Sequence, residues 1–232
     1  QLCGIAGIID YADKLRDRRS VLECMLDSLK RRGPDQSDIY QSECAGLVHT
    51  RLAVIDVENG KQPMTVKLGE HAYTLVYNGE LYNTDELRKR LENEGMKFTT
   101  LSDTEVVLRA YIAWGQRCLL EFNGIYAFAI WDEHEKNLFM ARDRMGVKPL
   151  FFAQLSNSLV FGSEIKALLK HPEIIPRIDN HGIAEIMLLG PGRTPGCGVY
   201  KSISELEPGQ CAVYSKDGLK LSTYWRLEDK EN

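Results

Sequence analysis

The stretch Ile125-Tyr126-Ala127-Phe128-Ala129-Ile130-Trp131 decides how this chain is built. In an extended strand, Ile125, Ala127, Ala129 and Trp131 point to one face, and Tyr126, Phe128 and Ile130 to the other. Both faces are apolar, so the strand must be covered on both sides. The runs 3–9 and 74–77 read the same way, and further strands are expected near 46–55, 137–142, 150–153, 158–162 and 211–214.

Helical signals fall between these strands in separate groups. Ser20-x-x-Glu23 reads as a capping box ahead of Val21, Leu22, Met25, Leu26 and Leu29, which share one helical face; Gly33-Pro34 stops that helix. Asn83-x-x-Glu86 opens a second helix with Leu87 and Leu91, ending near Gly95. Ser102-x-x-Glu105 opens a third with Val107, Tyr111 and Trp114, ending at Gly115. Shorter helices are expected over 163–169 and 180–188. This is not the strand–helix alternation of a doubly wound fold. It reads as α+β: two stacked, mainly antiparallel sheets flanked by helices.

Composition narrows the function classes. The 232 residues carry 29 Lys+Arg and 33 Asp+Glu, a net charge of −4, which argues against a dedicated nucleic-acid binder. Hydrophobic residues make up 44%, enough for a sizeable core. No apolar run approaches the roughly 18 residues that span a bilayer, and no secretion signal is visible at the start. Cys3, Cys24, Cys44, Cys118, Cys197 and Cys211 include no Cys-x-x-Cys pair. They are expected to be free thiols in a cytoplasmic protein, each except Cys3 a small buried hydrophobe. The chain opens Gln1-Leu2-Cys3 rather than with Met, so either a leader has been removed or two residues have been added.

Several short motifs have both a structural and a chemical reading. Cys3 opens a strand; were it the first residue, its α-amine, with a pKa of about 7.7–8.0, could take the thiol proton. Arg31-Arg32-Gly33-Pro34-Asp35 reads as a helix end whose cations complement the dipole. Arg51, inside a strand-like run, needs a partner: a ligand carboxylate, or more commonly an internal acid. Asn78-Gly79 is either a hairpin turn or a pair of N–H donors for an oxyanion. Asp103 stands at the first position of a capped helix, where a carboxylate stabilises the dipole. The 143–150 segment reads as a loop between strands. The 190–196 segment is a Gly/Pro loop without the lysine of a phosphate loop.

In order along the chain stand Cys3-Gly4-Ile5-Ala6-Gly7, Arg32-Gly33-Pro34-Asp35, His49-Thr50-Arg51-Leu52, Asn78-Gly79-Glu80, Ser102-Asp103 and Arg142-Asp143-Arg144-Met145-Gly146-Val147-Lys148-Pro149-Leu150. Together these resemble the glutaminase domain of the glutamine-hydrolysing asparagine synthetases, class II glutamine amidotransferases among the N-terminal-nucleophile hydrolases. Gly162-Ser163-Glu164 and Tyr224-Trp225-Arg226-Leu227 extend the resemblance over nearly the whole chain.

The resemblance implies a four-layer αββα sandwich and hydrolysis of the side-chain amide of L-glutamine. Cys3 would be the nucleophile and its α-amine the base. The Asn78 side chain and the Gly79 N–H would hold the oxyanion. Arg51 would bind the substrate carboxylate, Glu80 and Asp103 its ammonium, and the backbone near Val54 would help seat it. No metal or cofactor is implied for this domain. ATP and Mg²⁺ would serve a C-terminal synthetase domain whose pyrophosphate-loop signature is not found here, and which would receive the ammonia.

One unit is expected over 1–232, with a core at 3–215 and a C-terminal strand and start of a linker at 216–232. With Gln1-Leu2 ahead of Cys3, hydrolysis is expected to be slow or absent until Cys3 is first. A homodimer is left open. Two alternatives stand beside this reading: another amidotransferase of the class, or a catalytically silent module with the same fold.

Overall fold

A computed structural model describes residues 3–12, 17–52, 60–189 and 192–227. The elements in chain order are β1 (Gly4–Asp10), α1 (Arg18–Leu29), β2 (Gln36–Gln41), β3 (Ala45–Arg51), β4 (Met64–Leu68), β5 (His71–Leu81), α2 (Thr84–Asn93), α3 (Asp103–Trp114), α4 (Cys118–Glu121), β6 (Gly124–Asp132), β7 (Asn137–Arg142), β8 (Phe151–Gln154), β9 (Ser158–Gly162), α5 (Ile165–Leu168), α6 (Asn180–Leu189), β10 (Ser204–Glu205), β11 (Gln210–Ser215) and β12 (Gly218–Thr223). They form two six-stranded sheets, ordered β10-β8-β9-β1-β3-β2 and β12-β11-β7-β6-β5-β4, and every recorded strand pairing is antiparallel.

The two faces of β6 separate as the alternation requires. Ala127, Ala129 and Trp131 join Ile5, Ile9, Leu47 and Val76 in the layer between the sheets. Tyr126, Phe128 and Ile130 pack with Leu87, Leu91, Val107 and Leu108 of α2 and α3. On the outer face of the other sheet, Ala6, Ile8 and Val48 meet Leu22, Met25 and Leu29 of α1 and Leu168 of α5. The order is helices, sheet, sheet, helices: the four-layer αββα sandwich that the resemblance implied. Between the sheets the alanines of β6 stand beside large rings, Trp131 and Phe161, while Tyr126 and Phe128 carry the aromatic packing against the helices.

The sequence reading needs several corrections here. Helix α1 begins at Arg18, because the Asp17 carboxylate accepts the Ser20 N–H at 3.2 Å; Ser20 is thus inside the first turn and is not the cap. Asn83 precedes α2 but makes no cap. Its amide instead donates to the Glu121 carbonyl and accepts from Asn123 N–H, pinning the entry to β6. Ser102 does cap α3, accepting from Glu105 N–H at 3.4 Å. Asn78-Gly79 lies inside β5, paired with Ala127 and Tyr126, so it closes no hairpin. All six thiols are free, but only Cys118 and Cys211 are buried; Cys24 is exposed. None of the described helices is long and apolar enough to cross a membrane.

Candidate active site

One end of the sandwich gathers the start of β1, the end of β3, the C-terminal half of β5 and the first turn of α3. Cys3, Arg51, Gly79, Glu80 and Asp103 from these four elements line one cavity of about 240 Å³, with Leu52, Gln62, Leu101, Ser102 and Thr104 around them. Five of the seven residues nominated from sequence therefore share one space. Asn78 is buried next to that lining but outside it. Val54 lies outside the described residues.

The Asn78 and Gly79 backbones are fixed by pairing with β6. Among the described residues, Asn78 Nδ2 is a buried donor without a hydrogen-bond partner. Such a group costs about 1–3 kcal/mol, so its retention marks a demand for an acceptor that the protein itself does not supply. Gly79 has no room for a side chain: a Cβ there would lie 2.5 Å from the Ile125 carbonyl oxygen and 2.7 Å from Tyr126 Cβ.

Asp103 sits at the N-terminus of α3, and its Oδ2 accepts from the Tyr77 hydroxyl at 2.9 Å and from Leu81 N–H at 3.3 Å. Burial pushes its carboxyl above the usual aspartate range, against the lowering pull of the Tyr77 hydroxyl and the Leu81 N–H. A cation placed beside it would favour the ionised form. Arg51 is buried at the end of β3, with Nη1 donating to Gln36 Oε1 at 3.0 Å.

Sequence reasoning passed over the residues that hold these groups. Arg32, read only as a dipole complement, donates from Nε to the Cys3 carbonyl at 2.9 Å and from Nη1 to Glu164 at 2.9 Å. Gly33 makes this reach possible, because the chain presses there against the backbone of Thr50 and Arg51. Ser163 Oγ accepts the Ile5 N–H at 3.1 Å, so the 162–164 segment anchors the start of β1 from a second side. Gln62 bridges by accepting Tyr77 N–H at 2.6 Å and donating to Thr104 Oγ1 at 3.4 Å. Across the sheets, His49 Nε2 stands 3.3 Å from the Tyr77 carbonyl, and burial pushes its pKa down to about 3, so it is a neutral donor.

The 143–150 segment is more than a connecting loop. The buried Asp143 carboxylate accepts from the N–H groups of Met145, Val147 and Lys148, each at 3.0 Å. Arg142 donates to the carbonyls of Lys148 and Gly146 at 2.8 and 2.7 Å. The loop so formed carries Lys148 into the neighbourhood of Cys3. Burial and then the Arg32 guanidinium pull the Lys148 ammonium below the usual lysine range, partly offset by Cys3, Asp143 and Glu80. A signal was present in the sequence: charged residues bracketed by Gly and Pro mark a loop built by its own hydrogen bonds.

One cavity thus holds a thiol, a guanidinium and two carboxylates, with a buried amide donor next to its lining. Comparison with known proteins gives the same direction. The glutamine amidotransferase domain family matches residues 2–225. Asparagine synthetase [glutamine-hydrolyzing] 3 of Bacillus subtilis (strain 168) is 47% identical over 231 residues, covering 100% of this chain and 38% of that protein. Asparagine synthetase [glutamine-hydrolyzing] 2 of the same organism is 33% identical over 237 residues, covering 98% and 31%. This chain thus spans about a third of the length of those relatives. The solved structure of an allosteric regulatory enzyme of purine biosynthesis superposes with a TM-score of 0.70 at 22% identity, covering 96% of this chain and 49% of that one; it supports the fold alone.

Proposed function

The chain belongs to the glutamine amidotransferase family, and from that premise we propose that it hydrolyses the side-chain amide of L-glutamine to glutamate and ammonia. The observation that carries this reading is the single cavity lined by Cys3, Arg51, Gly79, Glu80 and Asp103, with the partnerless Asn78 amide beside it.

In a form whose first residue is Cys3, the α-amine takes the thiol proton and the sulfur attacks the amide carbon. Negative charge moves to the amide oxygen, where Asn78 Nδ2–H and Gly79 N–H receive it; one such donor is worth about 2.7–4 kcal/mol in the transition state. The carbon–nitrogen bond then breaks, the α-ammonium protonates the departing nitrogen, and ammonia leaves a γ-glutamyl thioester on Cys3. Water, deprotonated by the same amine, attacks the thioester and releases glutamate and the thiol. Arg51 binds the substrate carboxylate; Glu80 and Asp103 accept from its ammonium. Backbone groups near Val54 would complete the seat. This scheme uses no metal or cofactor in this domain.

The relatives are named as asparagine synthetases, and this chain spans about a third of their length. We propose that the ammonia passes to a C-terminal synthetase domain of the same polypeptide that uses ATP and Mg²⁺ to make asparagine. The test is glutamate release from glutamine by a Cys3-first form, with labelling of Cys3 by an electrophilic glutamine analogue. A folded Cys3-first protein that does neither would sink the proposal and favour a silent module.

A further inference from the structure

A second cluster of chemistry-bearing side chains lies apart from this cavity. His181 and Glu185 stand four residues apart on α6 and so share one face. The chain between α6 and β10 returns to bring Cys197 against them. One ligand atom from each of the three lies within 4.8 Å of the others, and Cys197 Sγ is 3.9 Å from His181 Nδ1. With zinc–sulfur and zinc–nitrogen bonds of about 2.3 and 2.0–2.1 Å, two ligands of one tetrahedral ion lie about 3.5–4 Å apart.

The surroundings hold each group in place. A Cβ on Gly182 would strike the Val199 carbonyl oxygen, so only glycine lets α6 and the returning loop approach this closely. Val199 itself has φ +66°, an uncommon conformation for a β-branched residue, and its N–H donates to Cys197 Sγ at 3.4 Å. Thr194 donates to Glu185 through its N–H at 2.9 Å and its hydroxyl at 2.7 Å, leaving each carboxylate oxygen a further lone pair. Backbone donors on a thiolate and hydrogen bonds that orient a carboxylate are the outer shell that metal ligands use.

We propose that His181, Glu185 and Cys197 form a three-ligand site for a divalent cation of the zinc class, with a fourth position open to water. A mixed nitrogen, oxygen and sulfur set suits a borderline ion; magnesium and calcium prefer oxygen throughout. His181 is exposed, so the open position faces solvent. The bound ion would add a cross-link between α6 and the loop that follows it, beside the Thr194–Glu185 bonds.

Cobalt(II) is the probe, added to the intact chain and followed by its thiolate-to-metal charge-transfer band. The expected result is one equivalent bound with that band, displaced by zinc. Binding should weaken by about tenfold for Thr194→Val, which removes only the hydroxyl bonded to the Glu185 carboxylate, and more for His181→Ala or Cys197→Ser. It should persist in Cys24→Ser and Cys3→Ala. A band that survives Cys197→Ser, or that vanishes with Cys3→Ala, would overturn the proposal. A second measurement needs no variant: zinc should slow alkylation of Cys197 in the unaltered protein while leaving Cys24 reactive. Equal alkylation rates with and without saturating zinc would leave the Thr194–Glu185 bonds as a purely structural tie and end the metal reading.

Discussion

The Tyr77 hydroxyl donates to Asp103 Oδ2 at 2.9 Å, tying the middle of β5 to the first turn of α3. This bond joins the strand that carries the proposed oxyanion donors to the carboxylate proposed to hold the substrate ammonium. Tyr77→Phe keeps the ring and removes the bond. Its expected effect is a several-fold rise in KM for glutamine with kcat little changed, and a loss of about 0.5–1.5 kcal/mol in stability. Steady-state kinetics and urea denaturation read the two effects.

Asp103 also sets a pH dependence. Burial raises its carboxyl above the usual aspartate range, and the substrate ammonium should favour the ionised form. Glutamine binding should therefore be full above the raised pKa and weaken as pH falls through it. In a KM–pH series, Asp103→Asn should bind weakly throughout and lose that acid limb. A limb unchanged in this variant would remove Asp103 from the ammonium site.

The two oxyanion positions should fail differently. Asn78→Ala removes a donor from a folded site, so kcat should drop by about 10²–10³-fold. Gly79→Ala forces a Cβ to 2.5 Å from the Ile125 carbonyl oxygen. It should cost about 1–3 kcal/mol of stability as an overpacked site, seen as a lower thermal midpoint, and lower activity as well.

Asp143 serves three loop N–H groups at once. Asp143→Ala leaves the buried Lys148 N–H unsatisfied and should cost about 1–3 kcal/mol. Because the loop carries Lys148, labelling of Cys3 by a glutamine analogue should slow in the same variant.

Acid stability should depend on Glu105. Burial pushes its carboxyl up, but the Arg109 guanidinium and the Thr100 and Thr99 donors outweigh that and hold it below the usual 4.5. A depressed folded pKa means stability that is present above the unfolded value and lost as pH falls through the folded one. Glu105→Gln should lower stability at neutral pH and flatten its decline below about pH 4.5, as read by denaturation between pH 3 and 7.

Much of the architecture was legible where periodicity is strong. The seven residues 125–131 assigned both their own faces, and the runs that became β1, β3, β5, β7, β8, β9 and β11 were each expected. The strands that escaped are β2, β4 and β10, all sheet edges, while the fourth edge, β12, was expected only as a strand somewhere in 216–232. Edge strands have water on one or both faces, so Gln36–Gln41 carries no alternating apolar signal; Met64–Leu68 does alternate, apolar at 64, 66 and 68, but its five residues are too short a run to stand out.

What the sequence by itself determined are the residue types whose chemistry or shape admits few substitutes: the thiol of Cys3, the amide of Asn78, the missing side chain of Gly79, and strands apolar on both faces. Tertiary structure alone decided which groups meet. Arg32 reaches the Cys3 carbonyl across 29 positions and Ser163 reaches Ile5 across 158. Among the described residues Asn78 Nδ2 is left without a partner, although amides usually find one. Gln62 was silent in the sequence, and Lys148 and Tyr77 showed only as parts of a loop and a strand, because their placement comes from neighbours distant along the chain. Local periodicity reports which face of an element is buried, and long-range pairing chooses what that face meets.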